Sequence, residues 1–490
     1  MSATAGVTTD PVTGPLPRIP LDLLVGGAWE STAERFTVDD PASLTTIARV
    51  ADAGEAEARA AVTAAHDAFG PWAERAPRQR AEVLRRAHEL MVAEAETGAL
   101  LITRENGKAW RDALGEVTYA AEFFRWFAEE AVRVRGDFRT APGGDKTIIV
   151  DHHPIGVAYL VTPWNFPAAM ATRKIAPALA AGCTCILKPA AETPLTALWI
   201  GDVLQRAGVP AGVVNILPTS DPGPLSDVIL GDARVATLSF TGSTPVGKQL
   251  MASTASRALR VSMELGGNAP FLVLEGADVD QAVEIAVVAK MRNGGSACTA
   301  ANRLYVHASL AEDLGHRLTA AFAELRMGPG ADRATELGSM VSTREQAKVH
   351  QLLEVAESEG GRVVQAQAAP DGGAFVAPYV VHDVAHGGTL TSTEIFGPVA
   401  PIIAFDSVDE AVRMANDTTF GLISYVVSGD TGRGIQVARR MESGMVAVNK
   451  GVLSDPAAPF GGMKESGIGR EGGFAGIHEF LESQYIAADL

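Results

Sequence analysis

The sequence predicts an α/β protein built on a doubly wound parallel sheet. Two observations carry that class. From residue 157 to a helix beginning near 244, short β-branched or apolar runs alternate with helical runs. A second alternating series opens at Pro270-Phe-Leu-Val-Leu274 and runs to about residue 450. With 490 residues, 47% of them hydrophobic and 20% charged, the chain suits two or three globular domains with a large core.

Taken in order, residues 1–20 are rich in Thr, Pro and Gly and read as a disordered lead. They lack the cationic-then-apolar order of a secretory signal. Residues 55–69, 77–104 and 112–134 carry the Ala, Leu, Glu and Arg spacing of amphipathic helices. Strands follow at 147–150 and 157–161, a helix at 167–181 and a strand at 184–188. Next come a helix at 194–207, a strand at 213–217, a helix near 223–230, a strand at 236–240 and a helix from 244. From Phe460 the chain is Gly-rich, then closes with a short helix and a strand-like tail, Ser483–Ala487.

The net charge of −17 argues against nucleic acid or an anionic membrane as partner, because both need a basic footprint. An anionic substrate would need a local cationic pocket. No uncharged apolar run reaches the ~18 residues of a membrane helix. The three cysteines form neither a disulfide framework nor a metal-ligand spacing, which fits a reducing cytoplasm and no bound metal. Cys183 and Cys185 read as strand-core residues.

The dinucleotide fingerprint occurs once, as Gly467-Ile-Gly-Arg-Glu-Gly472, but a loop precedes it where a strand is required. It is rejected as a cofactor site. Phe240-Thr-Gly-Ser-Thr-Pro-Val-Gly247 is the better phosphate site. It follows a strand, Ser243 or Thr244 can cap the next helix, and Pro245 suits its first turn. Lys188, at the carboxyl end of a central strand, stands where such sheets bind ligands. An ordinary βα turn and a snorkelling lysine are the plainer readings of the same residues.

Cys298 lies among small residues in Asn293-Gly-Gly-Ser-Ala-Cys298. On that stretch alone a nucleophile and a packed thiol are equally acceptable. Three further stretches join it: Thr162-Pro-Trp-Asn-Phe-Pro167, Met263-Glu-Leu-Gly-Gly-Asn-Ala-Pro270 and Glu394-Ile-Phe-Gly-Pro398. Together they resemble the aldehyde dehydrogenase superfamily from about residue 20 onward, and most nearly its succinate-semialdehyde dehydrogenase group. The runs Thr241–Phe271 and Pro459–Gly472 are similar to that group almost throughout.

The resemblance implies an aldehyde dehydrogenase-like fold. A Rossmann-type cofactor domain would span 21–135 and 153–263, and an α/β catalytic domain 264–458. Segments 136–152 and 470–490 would form a β flap that builds a homodimer or homotetramer. The resemblance also implies roles. Cys298 is the nucleophile, Asn165 an oxyanion donor beside the Cys298 N–H, and Glu264 the base that hydrolyses the thioester. Trp164 and Lys188 match the adenosine side of an NAD(P) site, Gly242 and Ser243 the pyrophosphate, and Glu394 and Phe396 the nicotinamide ribose and ring. Arg173, Arg292 and Ser454 match the residues that hold a remote carboxylate, so succinate semialdehyde is the expected substrate. Ala191 stands where many NAD-preferring relatives carry a carboxylate, which favours NADP, although Glu192 adds an adjacent negative charge.

Two departures stand out. Ser296 replaces the usual Gln or Glu two residues before the nucleophile, and Ala300 leaves no second cysteine for a redox switch. A glutarate-semialdehyde dehydrogenase, a cofactor-free cysteine esterase and a catalytically silent homologue remain as alternatives.

Overall fold

The computed structural model describes residue 12 and residues 14–489. Most of the lead expected at 1–20 therefore lies outside the described residues. Residues 14–20 carry no helix or strand, yet Leu16 and Ile19 pack on the main core and the Gly14 carbonyl accepts from Arg104 at 3.0 Å.

Five parallel strands form the centre of an eight-stranded sheet. In spatial order they are Val214–Ile216, Thr184–Lys188, Val157–Val161, Val235–Thr241 and Arg260–Glu264. Numbered along the chain this order is 3-2-1-4-5, and it reverses between Val157–Val161 and Val235–Thr241. A crevice opens at the carboxyl ends of strands flanking such a reversal. Three short antiparallel strands finish the edges: Leu23–Val25 and Ala28–Glu30 at one side, Gly467–Ile468 at the other.

A seven-stranded sheet organises the second half. Its order is Arg362–Gln365, Tyr379–His382, Val399–Phe405, Ala301–His307, Ala269–Val273, Ile423–Val427 and Met445–Val448, parallel except at the first strand. A separate three-stranded antiparallel flap joins Asp137–Thr140, Thr147–Pro154 and the tail strand Leu481–Ala488. The flap exposes Phe138, Tyr485 and Ile486.

Local signals explain the sharpest boundaries. The helix Pro167–Ala181 starts on proline and stops at Gly182, whose φ of 103° is left-handed. The helix Pro194–Ala207 repeats the device with Gly208. Every residue of Pro167–Ala181 is buried, including Arg173 and Lys174, because the helix lies between the sheet and the N-terminal helices. The helix expected at 77–104 is instead two, Pro77–Ala93 and Ala95–Asn106. Glu94 leaves helical geometry between them, and its carboxylate binds Arg206 and the Trp199 indole. The hairpin Arg35–Asp40 with Thr45–Ala51 was not anticipated from the sequence pattern.

Candidate active site

The nucleophile loop is an unusual piece of backbone. Asn293, Gly294 and Gly295 have φ of 53°, 59° and 76°, three left-handed residues in succession. A side chain at Gly295 would collide with the Gly397 carbonyl. The small residues around Cys298 thus serve close backbone approach at an accessible thiol. Cys298 is half-buried, while Cys183 and Cys185 are fully enclosed.

Asn293 ties this loop to the loop that carries Asn165. Its side-chain amide donates to the Asn165 carbonyl at 2.9 Å and to the Ser296 carbonyl at 3.0 Å. Lys108 Nζ also donates to the Asn165 carbonyl, at 2.7 Å, while paired with buried Glu116. Glu116 in turn accepts from Ala168 N–H at 2.8 Å in the first turn of Pro167–Ala181. The Asn165 Oδ1 accepts from Phe166 N–H at 3.1 Å. Its Nδ2 has no partner among the described residues, so a clamped amide presents one free donor. The Cys298 N–H likewise donates to no backbone acceptor among the described residues. Two free donors on loops tied together through Asn293 are of the kind that stabilises charge on a carbonyl oxygen.

Ser296 proves to be structural glue. Its Oγ donates to the Phe396 carbonyl at 3.4 Å and joins the nucleophile loop to the Glu394–Phe396 loop. Phe396 itself has a φ of 55°, a strained conformation for an aromatic residue, and meets Trp164 edge-on at 5.3 Å. Glu394 accepts from Gly267 N–H at 3.1 Å, and burial raises its carboxyl to about 7 against that bond and the charges of Lys348 and Lys290.

Glu264 ends the strand Arg260–Glu264, and both of its carboxylate oxygens are buried without a partner. A Cβ at Gly461 would lie 2.8 Å from its Oε1, so only glycine leaves room for it there. Burial and the facing Glu471 carboxylate hold Glu264 well above the usual range, opposed by Lys174, Arg173 and Arg470. A carboxylate whose affinity for a proton is raised in this way is a stronger base when it is ionised, which is what taking a proton from water requires. Burial pushes the Cys298 thiol up to about 12; Arg173 and Arg292 pull it down, whereas Glu394 and Glu264 push it further up. The thiol, the two carboxylates and the two guanidinium groups are therefore electrostatic neighbours.

Sequence reasoning missed Lys174 and Glu471. Lys174 Nζ meets Glu471 at 2.5 Å and Ser239 Oγ at 2.9 Å. Glu471 belongs to the rejected fingerprint and to the segment expected to serve oligomerisation. Only the strand Leu481–Ala488 of that segment joins the flap; residue 471 reaches the catalytic cleft. The available signal was Arg173-Lys174 on a fully buried helix, since adjacent buried cations demand an anion.

On the nucleotide side, Gly242 and Ser243 lie at the switch point. Ser243 occupies the N-cap of the helix Thr244–Thr254, but no side chain caps its first turn; Thr244 Oγ1 instead accepts from Gly266 N–H at 3.2 Å. The free first-turn N–H groups suit a phosphate. Lys188 makes no ion pair or side-chain hydrogen bond among the described residues, and burial lowers it to about 8, with Glu192 opposing. Ala191 beside it is small and partly open. An unpartnered lysine, uncapped amides and a buried carboxylate fit the adenosine ribose, pyrophosphate and nicotinamide ribose of a dinucleotide.

Arg292 and Ser454 line one small pocket together with Tyr425, Thr299 and Leu453. Arg292 stacks on Phe166 at 4.9 Å and has no ion pair or hydrogen bond among the described residues. Arg173 is placed differently. It stacks on Phe460 at 4.1 Å, donates to Tyr119 Oη at 2.7 Å and lies 3.5 Å from Glu471, which leaves its buried Nε without a partner.

A thiol, an amide donor, a buried carboxylate and a dinucleotide-type crevice together fit a nucleotide-dependent dehydrogenase. The comparisons agree. The family model described as "Aldehyde dehydrogenase family" matches residues 29–486, and the chain belongs to that family. It is 48% identical over 441 residues to a succinate-semialdehyde dehydrogenase of Paenarthrobacter nicotinovorans, covering 90% of this chain and 98% of that one. It is 43% identical to a glutarate-semialdehyde dehydrogenase of Pseudomonas putida, covering 95% and 97%. The crystal structure of an NADP-dependent enzyme of E. coli superposes with a TM-score of 0.94 at 41% identity, covering 96% of this chain and 98% of that one. The protein is an NAD(P)-dependent aldehyde dehydrogenase of the succinate-semialdehyde dehydrogenase-like kind.

Proposed function

We propose that this enzyme oxidises succinate semialdehyde to succinate with NADP as the preferred acceptor. The observation that carries the substrate is Arg292, a guanidinium without an anion, in one pocket with the Ser454 hydroxyl and beside the thiol. An acidic protein that leaves such a cation unpaired has room for a carboxylate at that point, and a planar guanidinium binds one with two parallel bonds. Arg173 adds its one free donor. The relatives named for four- and five-carbon semialdehydes both support a remote carboxylate. The shorter substrate is favoured by the tightness of the pocket, and one methylene is worth only about 1–3 kcal/mol.

In the proposed reaction the Cys298 thiolate adds to the aldehyde carbon, and Asn165 Nδ2 with the Cys298 N–H receives the oxyanion. When bound, the nicotinamide ring supplies the hydride acceptor. Lys188, Ala191 and Trp164 hold the adenosine side, Gly242 and Ser243 the pyrophosphate, and Glu394 and Phe396 the nicotinamide ribose and ring. Glu264 then takes a proton from water as it attacks the thioester on Cys298, and the acid leaves. The esterase alternative would leave the uncapped helix end and Lys188 without a purpose. For subunit assembly, the exposed Phe138, Tyr485 and Ile486 support the flap as the contact between subunits.

The test is cofactor reduction at 340 nm with succinate semialdehyde, glutarate semialdehyde and propanal, each with NADP and NAD. The reading expects the highest kcat/KM for succinate semialdehyde with NADP. Equal values for propanal would remove the carboxylate anchor, and a higher value with NAD would reverse the cofactor assignment.

A further inference from the structure

One charge near the nucleotide crevice opposes the cofactor reading: Glu192, four residues after Lys188. Its carboxylate is not free. Oε1 accepts from Arg344 at 3.2 Å. The two residues come from opposite halves of the molecule. Glu192 follows the strand Thr184–Lys188 of the eight-stranded sheet, and Arg344 is the second residue of the helix Thr343–Ser358, which packs on the other sheet. The ion pair therefore spans the crevice.

The same helix carries Lys348 one turn later. Residues four apart share a helix face and are offset by about 6 Å along the axis. Lys348 is close enough to Glu394, on the nicotinamide-ribose side, to stabilise its carboxylate. Arg344 reaches Glu192 and, through it, the surroundings of Lys188 on the adenosine side. Two cations one turn apart thus lie over the two ribose sites. Arg344 is mostly exposed, and its only other acidic neighbour among the described residues is Glu345, 3.5 Å from its Nε. It is free to change partners.

We propose that Arg344 is a specificity-determining residue for the 2′-phosphate of NADP: it neutralises Glu192 across the crevice and lends a guanidinium edge to the phosphate seated between Lys188 and Ala191. The proposal rests on the assignment of that place to the adenosine ribose. It reconciles Glu192 with a phosphate-accepting site, because Arg344 Nη2 keeps the carboxylate neutralised while Nη1, which has no hydrogen bond among the described residues, is open to the phosphate. No covalent bond is made or broken; the guanidinium bridges the two anions.

The test uses two fragments that carry only the adenosine end, 2′,5′-ADP and 5′-AMP, titrated calorimetrically into the intact protein. The quantity read is the ratio of their affinities. Arg344→Ala is expected to lower the preference for 2′,5′-ADP about tenfold, the loss of one charge-assisted contact. Arg344→Lys should restore part of it, and Glu192→Gln should raise it above wild type. In the Glu192→Gln background, Arg344→Ala should cost less, because no bare carboxylate remains to repel the phosphate. Arg317→Ala, a surface arginine paired with Asp280 and Asp313, serves as the charge control and should leave the ratio alone. A ratio within twofold of wild type in Arg344→Ala overturns the proposal. A wild-type preference for 5′-AMP overturns the NADP reading instead, and the proposal then stands only if Arg344→Ala lowers the ratio further.

Discussion

Two sets of cations contrast in this molecule. Lys108, Lys174 and Arg104 are buried and each face a carboxylate: Glu116, Glu471 and Asp40. Buried Lys188 and half-buried Arg292 face none within ion-pair distance, and unlike buried Arg80 and Arg303 they donate to no backbone carbonyl among the described residues. Buried charge without a partner is costly, so the first set is what folding demands. The second set is what ligand binding demands, because a paired cation has little left to offer an arriving anion. Lys290 stands between them: its Nζ is buried and unpartnered, and burial brings it to about 7, close to losing its charge altogether.

The largest expected effect breaks the paired set. Lys108→Met leaves Glu116 buried without its cation and removes one of two donors from the Asn165 carbonyl. Removing one partner of a buried pair costs about 3–5 kcal/mol. Denaturant unfolding should show that loss. A variant as stable as wild type would mean that water reaches this pair and that paired cations are not what holds the fold here.

Asn165→Ala comes next, and it acts on rate. The free Nδ2 is lost while the backbone clamp persists, so kcat should fall about 10²–10³-fold with stability nearly unchanged. A comparable fall in unfolding free energy would reassign Asn165 from the reaction to the scaffold. Arg292→Ala should be milder, with KM for succinate semialdehyde raised about 10- to 100-fold, that for propanal much less, and the melting temperature preserved. Stability lost in this variant would show that Arg292 has a structural partner and belongs with the first set.

The parts of this division that were legible in the sequence are local ones. Proline and glycine bracket Pro167–Ala181 and Pro194–Ala207, so those helices could be placed to the residue. Cys298, Asn165, Glu264 and Glu394 sit in short constrained stretches that announce themselves. Pairings across the chain were not legible. Glu471 meets Lys174 across 297 positions, and Asn293 reaches Asn165 across 128. Nothing local marks Glu471, whose surroundings imitate a phosphate loop. Glu94 looked like one more helical glutamate because its distant partners, Arg206 and Trp199, are what draw it out of the helix. Whether an arginine is paired is likewise a three-dimensional property, which is why Arg173 and Arg292 were alike on paper and differ in the fold.

The smallest expected effect is also the most direct probe of the unpaired set, since it reads the thiol itself. With burial pushing Cys298 up to about 12, only a small fraction is thiolate at pH 8, and that fraction scales with the gap between pH and pKa. Arg292 pulls the thiol down and Glu264 pushes it up. Alkylation by iodoacetamide at pH 8, located at Cys298 by peptide mass, should therefore slow about three- to tenfold in Arg292→Ala and quicken by a similar factor in Glu264→Gln. Cys183 and Cys185 are fully buried and should stay unlabelled in the folded protein. The sign in Glu264→Gln is informative because turnover must move the other way: the thiol becomes more reactive while hydrolysis of the thioester loses its base. Faster alkylation in Arg292→Ala would show that its guanidinium screens the thiol from the reagent more than it stabilises the thiolate, and the unpaired cation would then have no part in activating the nucleophile.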